Sequence, residues 1–293
     1  MDLTRPSELK QLLEAHGLRL SKRFGQNFLT DRTHLLRVVE AAGIGPDDRV
    51  FEIGPGAGTL TVELAARAAR VFAVELDRSL LPVLADVLRP FPNVSVRQAD
   101  ALKLELPSEL AESLGPPPYK VAANIPYNVT SPILVKLLEA SGLFTSVTLM
   151  VQKEVADRLR ARPGTADYGA LSVFVQFYAE VSVASIVPRG AFFPPPKVDS
   201  AVVHLVPRPT PPVEVASPEA FFGVSRAVFG QRRKTLANAL TNAPALAFDR
   251  ETVHAALTAA GIDGQRRGET LSLEEIAAIS RQLPFDTAGP DGI

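Results

Sequence analysis

A chain that carries Val50-Phe51-Glu52-Ile53-Gly54-Pro55-Gly56-Ala57-Gly58-Thr59 has few ways to fold. Val50–Ile53 reads as a short buried strand that opens into a glycine loop, and the apolar spacing predicts a helix from about Thr59 to Arg67. Strand, glycine loop and helix make the first half of a doubly wound α/β nucleotide-binding unit, whose sheet is mainly parallel. The second strand, Arg70–Glu75, ends in a carboxylate 17 residues beyond Gly58 (75 − 58), where an acid accepts hydrogen bonds from ribose hydroxyls. A dinucleotide fingerprint would place its third glycine at position 59, which is Thr59. The looser Gly-x-Gly-x-Gly suits a close backbone approach to a nucleoside without a pyrophosphate, and S-adenosylmethionine is such a ligand.

Two more strands end in polar residues. Val94–Gln98 leads to Asp100 and Ala101, where the carboxylate either accepts from an exocyclic adenine amine or simply caps the next turn. Tyr119–Ala123 leads to Asn124-Ile125-Pro126-Tyr127. Pro126 biases Ile125 towards extended backbone, Asn124 brings a side-chain acceptor, and Tyr127 offers a flat face. Together they suit a planar amine, although an Asn/Pro turn at a strand end accounts for the same four residues. Ends of parallel strands share one sheet edge, where ligands bind in open α/β sheets. Four coincident polar or glycine strand ends therefore favour a site over four separate caps.

Further along, a helix is expected over Pro132–Ala140 and a strand over Val147–Gln152, then a helix through Arg160. Leu171–Val187 is apolar and β-branched and reads as one strand with a bend, and Ala201–Val206 as a last strand. Between them, Phe192-Phe193-Pro194-Pro195-Pro196-Lys197 is a stiff extended segment, either a linker or a loop presenting Phe192 as a second stacking wall. Arg208-Pro209-Thr210-Pro211-Pro212 marks a domain boundary. It separates a domain over 1–208 from a small all-α domain over 213–286, with helices expected at Pro218–Phe229, Arg233–Leu240, Thr252–Ala260 and Leu273–Gln282. The tail 287–293 is expected to be disordered. N-terminally, Ser7–Gly17 reads as an amphipathic helix, Lys22–Leu29 as a basic, amide-bearing loop that links helices or covers a ligand, and Asp31 as the cap of a helix to Ala42.

The formal net charge of −1 excludes a polyanion binder that works by bulk charge, but not one with a local basic face. Arg226 with the run Gln231-Arg232-Arg233-Lys234 forms such a cluster, read either as a solvated face or as a contact for RNA backbone. The chain has no cysteine, and its four histidines show no ligand spacing, so no metal site is expected. Neither a signal peptide nor a transmembrane run is recognisable, and the expected location is cytoplasmic.

Taken together, Phe24–Leu29, Glu52–Gly58, Asn124–Tyr127 with Thr130-Ser131-Pro132, Phe192–Ser200, Gln231–Leu236 and Leu271–Glu275 resemble the ribosomal small-subunit RNA adenine dimethyltransferases, the KsgA/RsmA family. The likeness runs over nearly the whole chain. Ala99 departs from it, since the family usually has glycine before the acid. The resemblance implies a Rossmann-like class I methyltransferase domain and S-adenosylmethionine as cofactor, held by Asn27 and Leu29, Gly54 and Gly56, Glu75 and Leu76, Asp100 and Ala101, and Asn124. It implies Asn124, Ile125, Tyr127 and Phe192 as catalytic residues, and RNA contacts from Lys22, Arg23, Lys197, Arg226, Arg232, Arg233 and Lys234. The implied reaction dimethylates N6 of two adjacent adenines in the 3′-terminal hairpin of small-subunit ribosomal RNA, within an assembling subunit and by a monomeric protein. Two alternatives stay open. One is an erythromycin-resistance-type enzyme acting on large-subunit RNA, the other a non-catalytic assembly factor.

Overall fold

The computed structural model describes residues 2–18, 27–231 and 233–285. Two compact units divide the chain: Met1–Ala156 with Ala179–Pro209, and Asp157–Tyr178 with Thr210–Ile293. The expected division near residue 209 is present, but the segment Asp157–Tyr178 belongs to the helical unit rather than to the sheet.

The chain runs α1 (Pro6–Ala15), β1 (Phe28–Leu29), α2 (Arg32–Ala42), β2 (Arg49–Ile53), α3 (Thr59–Ala65), β3 (Arg70–Glu75), α4 (Leu81–Leu88), β4 (Val94–Gln98), α5 (Leu106–Leu114), β5 (Tyr119–Asn124), α6 (Thr130–Glu139) and β6 (Phe144–Gln152). There follow α7 (Lys153–Leu159), α8 (Ala170–Tyr178), β7 (Ala179–Val187), β8 (Phe192–Phe193) and β9 (Ser200–Pro207), then α9 (Pro218–Gly230), α10 (Leu236–Thr241), α11 (Arg250–Ala259) and α12 (Leu273–Gln282).

In the first unit seven strands form one sheet in the order β4-β3-β2-β5-β6-β9-β7. β2 to β6 run parallel, and β9 pairs antiparallel with both β6 and β7. The strands nearest the middle are apolar on both faces, as a sheet covered by helices requires: Val50, Phe51, Val121, Ala122, Leu149 and Met150 are all buried. The chain lays down β3 and β4 on one side of β2, then crosses back to place β5 on the other. That reversal opens a crevice at the carboxyl ends of β2 and β5, where open α/β sheets bind ligands.

Local chemistry sets the helix ends. The Asp31 carboxylate accepts from the His34 N–H, and Gly43 ends α2 in the left-handed conformation that only glycine adopts without cost (φ 57°). In the second unit Ser272 and Glu275 close a reciprocal capping box at the start of α12. Among the described residues no helix is long and apolar enough to cross a membrane.

The sequence reading fails at Leu171–Val187, where the structure holds a helix, α8, followed by β7. Val173 and Phe177 lie four residues apart on one helical face, and both are buried in a cluster with Tyr168, Phe221, Val224 and Val228. Packing onto α9 overrides the β-preference of Val173, Val175 and Phe177, because that preference records fit to a half-buried surface more than an intrinsic backbone tendency.

Candidate active site

The crevice between β2 and β5 holds a cavity of ≈ 320 Å³, lined by Asn27, Leu29, Gly54, Gly56, Glu75, Leu76, Asn124, Ile125 and Tyr127, among others. These nine site residues, spread over nearly a hundred positions of sequence, are thus gathered by the ends of three strands and the segment leading into β1. A site of this size suits one nucleoside-sized ligand.

The glycine loop forms the floor. Gly54, Gly56 and Gly58 all take positive φ, at 69°, 61° and 88°. The Gly56 N–H donates to Glu75 Oε2 at 3.0 Å, and the Asp77 N–H donates to Glu75 Oε1 at 2.9 Å. Glu75 is thereby fixed at the end of β3 with both oxygens engaged, and each oxygen retains a lone pair for a ligand hydroxyl. Burial pushes its carboxyl above the usual range, against the pull of those backbone donors. Leu76 beside it is 54% exposed, an apolar face open to a flat ring. Alanine at Gly56 would strain the backbone and bring Cβ within 3.0 Å of the Phe28 ring. Left-handed backbone costs about 1–2 kcal/mol outside glycine, so Gly56→Ala is expected to lower folding stability by about that amount in denaturant unfolding.

At the end of β5 the Asn124 side chain donates one of its two Nδ2 hydrogens to the Asn27 carbonyl at 3.2 Å, and its Oδ1 is an acceptor. Ile125 is 1% exposed, and Pro126 (φ −58°, ψ 136°) holds the backbone extended behind it. The Tyr127 hydroxyl shares a 2.6 Å hydrogen bond with Ser200 Oγ at the start of β9, so the ring is anchored at its far end. Desolvation pushes the Tyr127 phenol up, and it stays neutral.

Three expected residues stand apart from the cavity lining. Phe192 is 3% exposed and lies in a core cluster with Leu29, Val38 and Met150, which do line the cavity. The reason is the β1–β8 ladder, in which Phe192 pairs with Leu29 and Phe193 with Phe28. Successive side chains of a strand point to opposite faces, so only one of the two phenylalanines can turn into that core. Asp100 and Ala101 also lie outside the lining. Asp100 accepts from the Leu102 N–H at 3.0 Å, the capping role, while the Ala99 N–H donates to the Glu75 carbonyl and ties this turn to the end of β3.

Lys197, Arg226, Arg233 and Lys234 are exposed. Lys22, Arg23 and Arg232, with most of the Lys22–Leu29 loop and the tail 287–293, lie outside the described residues. Among the described residues no cluster of histidine and acid side chains is placed to hold a metal.

Glu52 was not among the expected site residues. It is 1% exposed, lines the cavity, and has no partner for Oε2. Burial, opposed by the nearby Thr61 hydroxyl and assisted by the Glu75 charge, pushes its carboxyl up to about 8. A carboxylate between Phe51 and Ile53 in an otherwise apolar strand was the signal that marks it. Thr59, whose buried Oγ1 also lacks a partner, was noticed only as the residue that breaks the dinucleotide pattern.

A Rossmann-like sheet with an antiparallel hairpin edge, and a nucleoside-sized cavity at its strand-order reversal, defines a class I methyltransferase. The fold is similar to a dimethyladenosine transferase from Plasmodium falciparum (TM-score 0.69, 26% identity, 86% of this chain and 95% of that one). It is also similar to the 23S rRNA methyltransferase ErmE (TM-score 0.64, 33% identity, 88% of this chain and 99% of that one). The chain belongs to the ribosomal RNA adenine dimethylase family, whose sequence pattern matches residues 17–282. Ribosomal RNA small subunit methyltransferase A of Geobacillus kaustophilus is 48% identical over 284 residues, covering 96% of this chain and 97% of that protein. The same-named protein of Bacillus mycoides is 46% identical over the same length.

Proposed function

We propose that this protein is an S-adenosylmethionine-dependent enzyme that transfers two methyl groups to N6 of each of two adjacent adenines in the 3′-terminal hairpin of small-subunit ribosomal RNA. The observation that carries the reading is the strand end Asn124–Tyr127 on the wall of a nucleoside-sized cavity, opposite Gly56 and Glu75. In this reading Glu75 takes the ribose hydroxyls, Leu76 and the Gly54–Gly56 loop flank the cofactor, and Asn27 and Leu29 close over its amino-acid end. Asp100 and the Ala101 N–H meet the adenine at the rim. The cofactor supplies an already activated methyl on a sulfonium, so positioning and exclusion of water carry most of the rate.

An adenine N6 amine is a weak nucleophile because its lone pair is delocalised into the ring. Asn124 Oδ1 and the Ile125 carbonyl accept its two hydrogens, which favours a pyramidal nitrogen with a localised lone pair. Tyr127, anchored through Ser200, stacks on the base. Stacking on an aromatic contributes roughly 1–3 kcal/mol per base, which offsets part of the few kcal/mol needed to extrude it. Phe192 holds the cavity wall through Leu29 and Met150 and reaches the base only with a change of packing. The methylated aryl ammonium is strongly acidic and loses its proton without a dedicated base. Lys197, Arg226, Arg233 and Lys234, with Lys22, Arg23 and Arg232, hold RNA phosphates as localised patches on a chain of near-zero net charge. The protein acts as a cytoplasmic monomer on an assembling subunit, which presents the hairpin.

The identities favour a small-subunit target, at 48% with Ribosomal RNA small subunit methyltransferase A against 33% with ErmE. The test is transfer of labelled methyl from S-adenosylmethionine into unmethylated small subunits, followed by digestion to nucleosides. N6,N6-dimethyladenosine is the expected product. Label confined to large-subunit RNA would establish the resistance-type activity instead, and binding of cofactor and subunit without transfer would establish an assembly factor.

A further inference from the structure

Among the described residues, the cavity is lined by two carboxylates, Glu52 and Glu75, and by no lysine, arginine or histidine. The two acids are not equivalent. Glu75 has backbone donors on both oxygens. Glu52, next to last in β2, has an oxygen that is buried and without a partner. The groups that act on it are the Glu75 carboxylate on β3, which opposes its ionisation, and the Thr61 hydroxyl on α3, which favours it without closing a well-formed hydrogen bond. Asn124 on β5 gives one of its two Nδ2 hydrogens to the Asn27 carbonyl and makes no hydrogen bond to Glu52 Oε2. Among the described residues the cavity lining thus offers Glu52 no cation to balance a negative charge, and a buried carboxyl in that position keeps its proton. A ligand-borne cation entering the cavity supplies what is missing.

We infer that Glu52 is the charge-sensing residue of this cavity: it is a neutral acid in the unliganded protein and gives up its proton when a cationic ligand binds. The inference rests on the reading of the cavity as a cofactor site. S-adenosylmethionine brings two cations, an α-ammonium and a sulfonium, and its demethylated product keeps only the first. If the sulfonium is the partner, the same carboxyl holds the substrate form more tightly than the product and assists product release. The O–H bond of Glu52 breaks, the proton goes to solvent, and the carboxylate pairs with the ligand cation, so charge balances without another reactant.

Linkage gives the sign for the unliganded protein. A carboxyl held near 8 in the fold and near its ordinary value when unfolded makes the native state bind the extra proton between those limits. That contribution to stability is present below the ordinary carboxylate range and is lost as pH rises towards about 8. The thermal midpoint of the free protein should show this decline, and Glu52→Gln should remove it.

The deciding experiment is calorimetric titration with S-adenosylmethionine and with S-adenosylhomocysteine at pH 7, in two buffers of different ionisation enthalpy, on wild type and Glu52→Gln. The ligand amine titrates near the same pH, so the difference between the two proteins is the readout. Wild type is expected to release about one more proton per ligand than the variant. An excess seen with both ligands assigns the ammonium as partner, and an excess seen only with S-adenosylmethionine assigns the sulfonium. Equal proton counts in the two proteins would overturn the inference and leave the cofactor reading standing. Failure of the wild type to bind either ligand would overturn both. Should the variant not fold, infrared difference spectroscopy of the wild type decides: loss of the C=O band of a protonated carboxyl on ligand binding at pH 7 is expected, and no such loss rejects the role of Glu52.

Discussion

Asn124→Ala is expected to lower methyl transfer by about 10²–10³-fold, the loss typical of deleting one preorganised hydrogen-bonding group aimed at a reacting atom. Affinity for cofactor and for the subunit should change by only a few-fold. The asymmetry follows from geometry. One Nδ2 hydrogen of Asn124 goes to the Asn27 carbonyl at 3.2 Å, and in the proposed function Oδ1 is the acceptor for the N6 amine. Alanine removes that acceptor and leaves the cavity, the glycine loop and the exposed cations in place. Asn124→Asp should not rescue, because a carboxylate cannot donate to Asn27 and its second oxygen would face that carbonyl. Labelled-methyl incorporation beside filter binding of the subunit separates the two effects. Parallel loss of turnover and of subunit affinity would contradict the role given to Asn124.

Phe221→Ala should cost about 3–5 kcal/mol, a large part of the 5–15 kcal/mol that holds a domain folded. Phe221 is fully buried at the centre of the helical unit, stacked on Phe177 with ring centroids 4.8 Å apart and edge-on to Phe222 at 5.2 Å. Phe177 lies on α8, so this contact is one of those that hold Asp157–Tyr178 to the helices after residue 209, beside Tyr168–Phe229 and Tyr178–Phe222. Denaturant unfolding followed by circular dichroism measures the loss. Binding of S-adenosylmethionine at 25 °C, read by calorimetry, should persist, because every residue that lines its cavity lies in the other unit. A loss under about 1 kcal/mol, the size of a surface substitution, would remove Phe221 from the core.

Local signals sufficed for several elements in both units. Arg70–Glu75, Val94–Gln98 and Leu273–Gln282 have the bounds expected of them. Arg70–Glu75 is legible as a short apolar run because its strand is buried on both faces, and helices carry their own start and stop signals, such as Asp31 and Gly43 at the two ends of α2. Glu75 and Asn124, which both line the cavity, stand out in the sequence because a polar residue at the end of a buried strand has few structural uses. Phe192 was less so. Its proline-rich surroundings fit a stiff loop, and nothing local shows that Phe192-Phe193 pairs with Phe28-Leu29, some 160 residues away. Glu52 was passed over for a related reason. Its environment, a sealed cavity wall with a second acid on the neighbouring strand, exists only once β2 and β3 are paired.

What the sequence determined by itself is therefore the unit type and the inventory of the site: a glycine loop after a strand, an acid ending the next strand, and an amide, proline and tyrosine ending a later one. Each depends on contacts within a few residues, which a one-dimensional pattern records. The tertiary structure alone decided three things: that Leu171–Tyr178 coils instead of extending, that Phe192 turns inward, and that Glu52 has an unpartnered oxygen in a cavity lined, among the described residues, by no cation. All three are set by what packs against the residue from distant parts of the chain, and burial, unlike local backbone preference, is a property of the assembled neighbours.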